Sequence, residues 1–78
     1  MTMIKKSVKL SQHSTSIALE EEFWQALEDI AHQKSMSRSS LVAHLDTLRK
    51  NTNLASFLRV YVLIYFREKA RDVVTKYL

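Results

Sequence analysis

The sequence contains no cysteine, no glycine and no proline. Without cysteine, the chain can form neither a disulfide nor a thiolate metal site. Without glycine, it cannot build a glycine-rich phosphate cradle, whose backbone geometry depends on that residue, and tight two-residue hairpins are disfavoured. These absences favour a fold made of helices with few turns.

The chain is also short, at 78 residues, and its longest apolar run is Val60–Phe66. A domain of this size buries little surface and is only marginally stable alone, so without disulfides we expect it to form an oligomer. The apolar run is far shorter than the roughly 20 residues that span a bilayer, and the residues up to Lys9 are too polar for an export signal. We therefore expect a soluble cytoplasmic protein.

Charge is distributed unevenly along the sequence. Residues 1–16 contain three lysines and no acid, whereas residues 20–34 contain five acids and one lysine. A basic arm ahead of an acidic segment suggests an anionic partner for the arm, and a solubilising tail is the alternative. The acids also have a structural explanation, because Glu20, Glu21 and Glu22 would lie in the first turn of a helix, where the helix dipole favours negative charge.

A strand is predicted at residues 14–19 by a two-residue alternation, which is the pattern of a half-buried strand. Residues of one parity would face inward and those of the other parity outward, namely Thr15, Ile17 and Leu19 against Ser14, Ser16 and Ala18. Upstream, Val8 and Leu10 have the opposite parity. Since one straight strand cannot bury both sets, either a bulge or turn falls within residues 11–13 or residues 5–10 form a separate arm.

Two amphipathic helices are predicted after the strand. The first spans Glu20–Lys34, and the second begins at Ser37, a good N-cap residue, and ends near Lys50. Ser35 and Met36 separate the two helices. Apolar residues recur at helical spacing in both, namely Phe23, Leu27 and Ile30 in the first and Leu41, Leu45 and Leu48 in the second.

A third helix is predicted over Leu54–Leu78, with Asn53 as its cap. The run Val60–Phe66 would also suit a buried strand, but the helical spacing of the flanking apolar residues and the good helix formers that follow favour a helix. Apolar residues on all sides of this helix imply burial on several sides, which a second subunit would provide.

No arrangement in the sequence points to catalysis or to a bound cofactor. There is no pairing of a nucleophile with a base and no cofactor loop. The histidines, His13, His32 and His44, are far apart and have no cysteine companions, so we expect no metal site. We expect Trp24 to pack in a core or dimer interface rather than to stack on bases. The sequence therefore predicts a protein that is not an enzyme and needs no cofactor.

The order of these features resembles the ribbon-helix-helix family of DNA-binding proteins. The similarity is carried by Thr-Ser-Ile-Ala-Leu-Glu-Glu-Glu-Phe-Trp and by Met-Ser-Arg-Ser-Ser-Leu-Val at the start of the second helix, over residues 14 to 50. The later stretch Asn-Leu-Ala-Ser-Phe-Leu-Arg-Val-Tyr resembles a bacterial subgroup with an added C-terminal helix. That subgroup also has a Ser-Val-x-Leu element upstream, which extends the similarity over nearly the whole chain.

The resemblance implies a mostly α-helical fold with one short strand per chain and an intertwined dimer. The strands of two chains would pair antiparallel, one side of this ribbon would enter the DNA major groove, and the start of the second helix would hold a phosphate. The chain would divide into a basic N-terminal arm at residues 1–13, which can form a short extra strand, a ribbon-helix-helix core at residues 14–50 and a C-terminal helix at residues 51–78. The family commonly has Gly where Ser35 stands, so we expect a positive φ there.

The resemblance also implies roles for individual residues. The groove face would consist of Ser14, Ser16 and Ala18, the DNA phosphates would be contacted by Lys5, Lys6, Lys9, Ser37, Arg38 and Ser39, and the dimer core would contain Thr15, Ile17, Leu19, Phe23, Leu27, Leu41 and Leu45. Two serines and one alanine can form few hydrogen bonds with base edges, so we expect phosphate contacts to dominate the binding.

The resulting hypothesis is a cytoplasmic, repressor-type transcriptional regulator that binds double-stranded DNA as a homodimer, or as a higher oligomer on adjacent sites. One alternative is an antitoxin-like module that grips a partner protein through the C-terminal helix. It would show an exposed apolar stripe on Leu54–Phe66 that a dimer leaves uncovered. Another is a dimer used only for protein assembly, which would show no salt-dependent binding to nucleic acid.

Overall fold

A computed structural model of the chain describes residues 2–77, with side chains described up to residue 72. Within this range the chain forms an antiparallel hairpin followed by three helices, with the bounds β1 (Met3–Lys9), β2 (Ser14–Glu20), α1 (Glu21–Gln33), α2 (Arg38–Leu48) and α3 (Leu54–Tyr77). The predicted end of the third helix at Leu78 lies outside the described residues. The mostly helical architecture, with a strand ahead of α1 and α2 and an added C-terminal helix, confirms the predicted fold class.

The described chain has two strands, whereas the resemblance implied one. β1 pairs with β2 so that Met3 lies opposite Glu20 and Lys9 lies opposite Ser14. The turn between them falls within residues 11–13, which is one of the alternatives that the change of parity allowed, and the Leu10 amide donates to the carbonyl of His13 at 2.8 Å. The second strand forms because pairing satisfies the backbone along one edge of β2 and brings the apolar residues of β1 onto the buried side.

α1 ends in a left-handed turn at Ser35, whose φ of 56° confirms the positive φ expected there. The Ser35 amide donates to the carbonyl of His32, and the Met36 amide donates to the carbonyl of Ala31, both at 3.0 Å. These two bonds form a Schellman closure. The Met36 side chain then packs against the core, which holds Ser35 in a conformation that glycine adopts more easily.

The next two helices begin at the predicted N-caps. The hydroxyl of Ser37 accepts a hydrogen bond from the Ser40 amide at 3.0 Å. In the same way, Oδ1 of Asn53 accepts from the Ser56 amide at 3.1 Å, at the start of α3. Both side chains satisfy an amide that has no partner within its own helix, which fixes where each helix begins.

The core lies between the helix-facing side of the hairpin and the three helices. Its most deeply buried side chains are Leu19, Leu27, Ile30, Leu41, Val42, Leu45 and Leu58. On α1, Trp24 is buried in this core, as expected, whereas Phe23, which was expected in the dimer core, is only partly buried within the single chain. Both residues lie within one turn of Leu27 on the same side of the helix. The indole N–H of Trp24 donates to the carbonyl of Ile4 at 2.8 Å, so its polar atom is satisfied inside the core.

Side-chain hydrogen bonds connect α3 to the end of β2 and to the end of α1. Nε of Arg59 lies 3.0 Å from Oε1 of Glu20, at the end of β2. The hydroxyl of Tyr65 donates to Oε1 of Gln33 at 2.6 Å, at the end of α1. Over the residues that the structure describes, neither α3 nor any other helix combines the length and apolar character needed to cross a membrane.

Candidate nucleic-acid interface

The side of the hairpin that points away from the helices forms a small polar and basic surface, which we call the open face. Because side chains alternate across a strand, the pairing register determines which residues share this face. Its cross-strand pairs are Met3 with Glu20, Lys5 with Ala18, Ser7 with Ser16, and Lys9 with Ser14. Both lysines and all three serines are exposed. The groove-face residues named from the sequence therefore lie beside two cations that β1 contributes.

The three lysines of β1, Lys5, Lys6 and Lys9, do not all lie on the same face of the hairpin. Lys6 has the opposite parity from Lys5 and Lys9, so it points toward the helices and lies opposite Ile17. It is half-buried, and its Nζ lies 5.9 Å from the centroid of the Trp24 ring. The structure thus separates two lysines on the open face from one lysine that packs on the protein.

Arg38, at the first position of α2, is held by α1. Its guanidinium carbon lies 5.3 Å from the centroid of the Trp24 ring, and its Nη1 lies 3.3 Å from Oε2 of Glu28. A cation at the start of a helix opposes the helix dipole, so this position needs compensation. The aromatic ring and the carboxylate supply it. Lys6 and Arg38 consequently lie close together around Trp24, on the β1 side of the hairpin.

The start of α2 offers hydrogen-bond donors to an anion. The Ser37 hydroxyl is already used, since it donates to the Ser40 hydroxyl at 2.9 Å and accepts from the Ser40 amide. The amides of Arg38 and Ser39 have no acceptor within the described part of the chain. Free amides at a helix N-terminus suit a phosphate oxygen. Ser37 and Ser39 would thus contribute mainly through position and backbone.

The outer edge of β2 is open. β2 pairs with β1 along one edge only, and a cleft of about 340 Å³ lies along it, lined by residues 15–18 and by Arg49, Asn53 and Ala55. The sequence did not single out Arg49, whose Nε donates to Oδ1 of Asp46 at 2.6 Å. No local signal marks it, because the loop between α2 and α3 creates its place beside β2. An unpaired strand edge exposes backbone donors and acceptors that can bind another strand.

The residues expected in the dimer core divide into two groups. Five of them are buried within the single chain, namely Ile17, Leu19, Leu27, Leu41 and Leu45. Thr15 and Phe23 are only half-buried. The chain therefore has a core of its own, and Thr15 and Phe23 are the members of this set that a partner could still cover.

One acidic residue, Glu20, has the parity of the open face, because it lies opposite Met3 at the end of the hairpin farthest from Lys9. Glu20 ends β2, and a hydrogen bond from Arg59 holds the pKa of its carboxyl below the usual value. Arg59 therefore neutralises the negative charge of Glu20 on this face. Across the residues described, no group of three or more histidine, aspartate or glutamate side chains gathers to hold a metal ion. What this surface can do is attract and position an extended anion.

Comparison with known proteins identifies one family whose model matches most of the chain. A family model described as a ribbon-helix-helix domain matches residues 3–66. The matched range includes both strands, α1, α2 and the first half of α3. No curated protein and no solved structure matches the chain.

Proposed function

The chain belongs to the ribbon-helix-helix family, a family of DNA-binding regulators, and from that premise we propose that it is a repressor-type transcriptional regulator that binds double-stranded DNA as a homodimer. The observation that supports this most directly is the open face, where Lys5 and Lys9 flank small, uncharged side chains. Cations suit the phosphate backbone, and small residues let the strand approach the base edges. Such a regulator, if bacterial as the subgroup resemblance suggests, would act in the cytoplasm, where its DNA lies.

In the proposed dimer, the free edges of two β2 strands pair antiparallel across a two-fold axis. The result is a four-stranded sheet with the order β1-β2-β2-β1, and the outermost strands lie about 14 Å apart at the usual strand spacing of about 4.8 Å. The major groove of DNA is about 12 Å wide. The two central strands would therefore face the base edges, while the β1 strands would lie over the sugar-phosphate backbones on either side.

This placement distributes the roles among the residues. Ser14, Ser16 and Ala18 lie on the inner strands and would face the bases. Lys5 and Lys9 lie on the outer strands and would contact phosphates, and Arg38 with the free amides of α2 would contact phosphates farther out. Phosphate contacts would supply most of the affinity, because so few groups on the inner strands can bond to a base edge.

The proposal is tested by the salt dependence of binding. Lys5, Lys9 and Arg38 each occur twice in a dimer, so six phosphate contacts are available. Each contact contributes about 0.9 to the slope of log affinity against log salt, which predicts a slope of about −5. Fluorescence anisotropy with a labelled pool of random duplexes at several salt concentrations measures this slope. Absence of binding to any duplex at low salt would remove the DNA assignment.

A second candidate function is supported by a separate observation. Large apolar side chains on α3 are exposed, among them Val60, Leu63 and Ile64, as expected for an antitoxin-like or assembly module that binds another protein. The two candidates differ in what covers α3. In the DNA-binding dimer a second copy of this chain is available to cover α3, whereas the module requires a different protein there.

A further inference from the structure

α3 carries an apolar surface that the single chain does not cover. Leu63 is 60% exposed, Val60 is 53% exposed and Phe66 is 39% exposed. With the half-buried Phe23 of α1, these side chains line a groove of about 600 Å³, which we call the α1–α3 groove. Single exposed apolar residues are ordinary on a protein surface, but a contiguous apolar group around a concavity marks an interaction site.

We propose that the occupant of the α1–α3 groove is α3 of a second copy of this chain, so that the added C-terminal helix forms the helical half of the dimer interface. The proposal rests on the proposed function in one respect, the two-fold pairing of the β2 edges. It assigns dimer contacts to α3, outside the residues that the family resemblance named.

Position in the fold is the first reason for choosing a second copy. α1 and α3 both contact β2, whereas α2 contacts β1. The Glu20–Arg59 ion pair also ties α3 to the end of β2. The start of α3, at Leu54 and Ala55, lines the cleft along the free edge of β2. On the helical side of the sheet, α3 therefore lies toward that edge. A two-fold axis that pairs the two β2 edges brings both α3 helices to the same side of the sheet next to that axis, so one axis accounts for both uncovered surfaces.

Charge complementarity is the second reason. The groove is bordered on the α3 side by Arg67, which has no ion-pair partner within the described part of the chain. Beyond the groove lining, α1 exposes Glu22 and Asp29, which border a neighbouring hollow, and neither of them has a cation within ion-pair distance among the described residues. A two-fold axis would bring Arg67 of one copy toward these exposed acids on α1 of the other. A second copy thus offers both the apolar and the charged complement.

The direct test compares Leu63→Glu with Leu48→Glu. Leu48 is the matched control, because it is 54% exposed and lies on α2, outside the groove. In sedimentation equilibrium, the wild type should behave as a dimer of twice 9.1 kDa. Leu63→Glu should raise the dissociation constant about a hundredfold or more, since a charge is placed in the interface twice. Leu48→Glu should leave it nearly unchanged. A Leu63→Glu protein that dimerises like the wild type would overturn the proposal.

Two further measurements distinguish a lost interface from a lost fold. Circular dichroism shows whether Leu63→Glu keeps its helices. Independently, Leu63→Cys and Leu48→Cys each introduce a single thiol into a chain that has none. A short bis-maleimide should link purified Leu63→Cys into a covalent dimer and leave Leu48→Cys monomeric. Equal cross-linking of both variants, or none at position 63, counts against the groove as the contact between copies.

The outcomes also separate this proposal from the proposed function. If Leu63→Glu remains dimeric and binds DNA, the groove proposal fails and the regulator stands. If Leu63→Glu splits the dimer but the wild type binds no duplex at low salt, the interface stands and the DNA assignment fails. A wild type that is monomeric at every concentration overturns the groove proposal, and α3 is then left open to a different protein.

Discussion

The two faces of the β-hairpin show how one stretch of sequence can serve both folding and binding. The helix-facing side holds Ile17 and Leu19, which are 6% and 0% exposed. On the open face, one residue away along the strand, Ser16 and its cross-strand partner Ser7 are exposed. The same backbone carries both sets, because side chains alternate with a period of two.

The difference shows that parity along the strand matters more than residue type. Lys6 and Lys9 are both basic and only three residues apart, yet Lys6 packs near Trp24 while Lys9 is exposed on the open face. A substitution on the helix-facing side should therefore act mainly on stability. A substitution on the open face should act mainly on DNA binding.

Ile17→Lys should unfold the protein. Ile17 is 6% exposed and lies opposite Lys6, so the new cation would be buried and would face a like charge across the strands. We expect a loss of several kcal/mol, which exceeds what a small marginally stable domain can tolerate. Thermal unfolding followed by circular dichroism measures this loss.

Ser16→Lys is the matched control for that experiment. It adds the same side chain to the neighbouring position, which is exposed and lies opposite Ser7. We expect the melting temperature of Ser16→Lys to stay close to that of the wild type. Equal destabilisation by the two substitutions would show that the two faces do not differ as described.

Lys9→Ala should have the largest effect among single substitutions on the open face. A dimer loses two symmetric phosphate contacts, which should lower the slope of log affinity against log salt by roughly 2. Because phosphates carry no sequence information, binding to all duplexes should weaken to a similar extent. Anisotropy titrations at several salt concentrations give the slope, and the melting temperature should not change.

Lys6→Ala supplies the comparison for Lys9→Ala. Lys6 is half-buried with its Nζ 5.9 Å from the Trp24 centroid. Its removal should cost about 0.5 kcal/mol of stability through the lost cation–π contact. The salt slope should remain that of the wild type. If the slope falls as much as in Lys9→Ala, then Lys6 also reaches the DNA and the parity argument is wrong for this residue.

The Glu20–Arg59 pair at the end of β2 should have a smaller effect, which appears in how stability depends on pH. The Glu20 carboxyl has a pKa below its usual value near 4.5, because Arg59 donates a hydrogen bond to it. A group with a lowered pKa in the folded state stabilises the protein above its unfolded pKa, and this contribution is lost as the pH falls through the folded value. Arg59→Gln should therefore flatten the decline in melting temperature below about pH 4.5. A decline identical to that of the wild type would mean that the pair contributes nothing.

Much of the fold was predictable because its signals are local. Ser37 and Asn53 mark helix starts through side-chain caps. The positive φ at Ser35 has no such local signal and was expected from the family resemblance, because the family commonly has glycine there. The burial of Trp24 depends on a contact that is distant in sequence. Positions 23 and 24 both fit the helix face that holds Leu27, and the choice depends on the carbonyl of Ile4, which accepts from the indole only after β1 has folded back.

The candidate site was less predictable for the same physical reason. Without a defined strand, the lysines of the arm could only be treated as one basic set. The register of β1 against β2 divides them, and that register is a long-range property of the hairpin. Arg38 was named as a phosphate contact, but its contacts with Glu28 and Trp24 depend on how α1 packs beside α2. Neither the strand register nor the packing of α1 beside α2 can be predicted from a short stretch of sequence.

Ser16→Ala should have the smallest effect and is the most informative about sequence reading. Ser16 lies on the inner strand of the proposed sheet, where a hydroxyl can bond to a base edge. Its loss should weaken binding by less than about tenfold, the worth of one or two ordinary hydrogen bonds, and only at one symmetric pair of base positions. The decisive experiment measures Ser16→Ala and Lys9→Ala on a preferred duplex and on a scrambled one. We expect Lys9→Ala to weaken both duplexes alike and Ser16→Ala to narrow the preference slightly. If Ser16→Ala abolishes the preference while Lys9→Ala leaves the salt slope untouched, then the inner strands dominate recognition and the lysines of β1 serve only to keep the protein soluble.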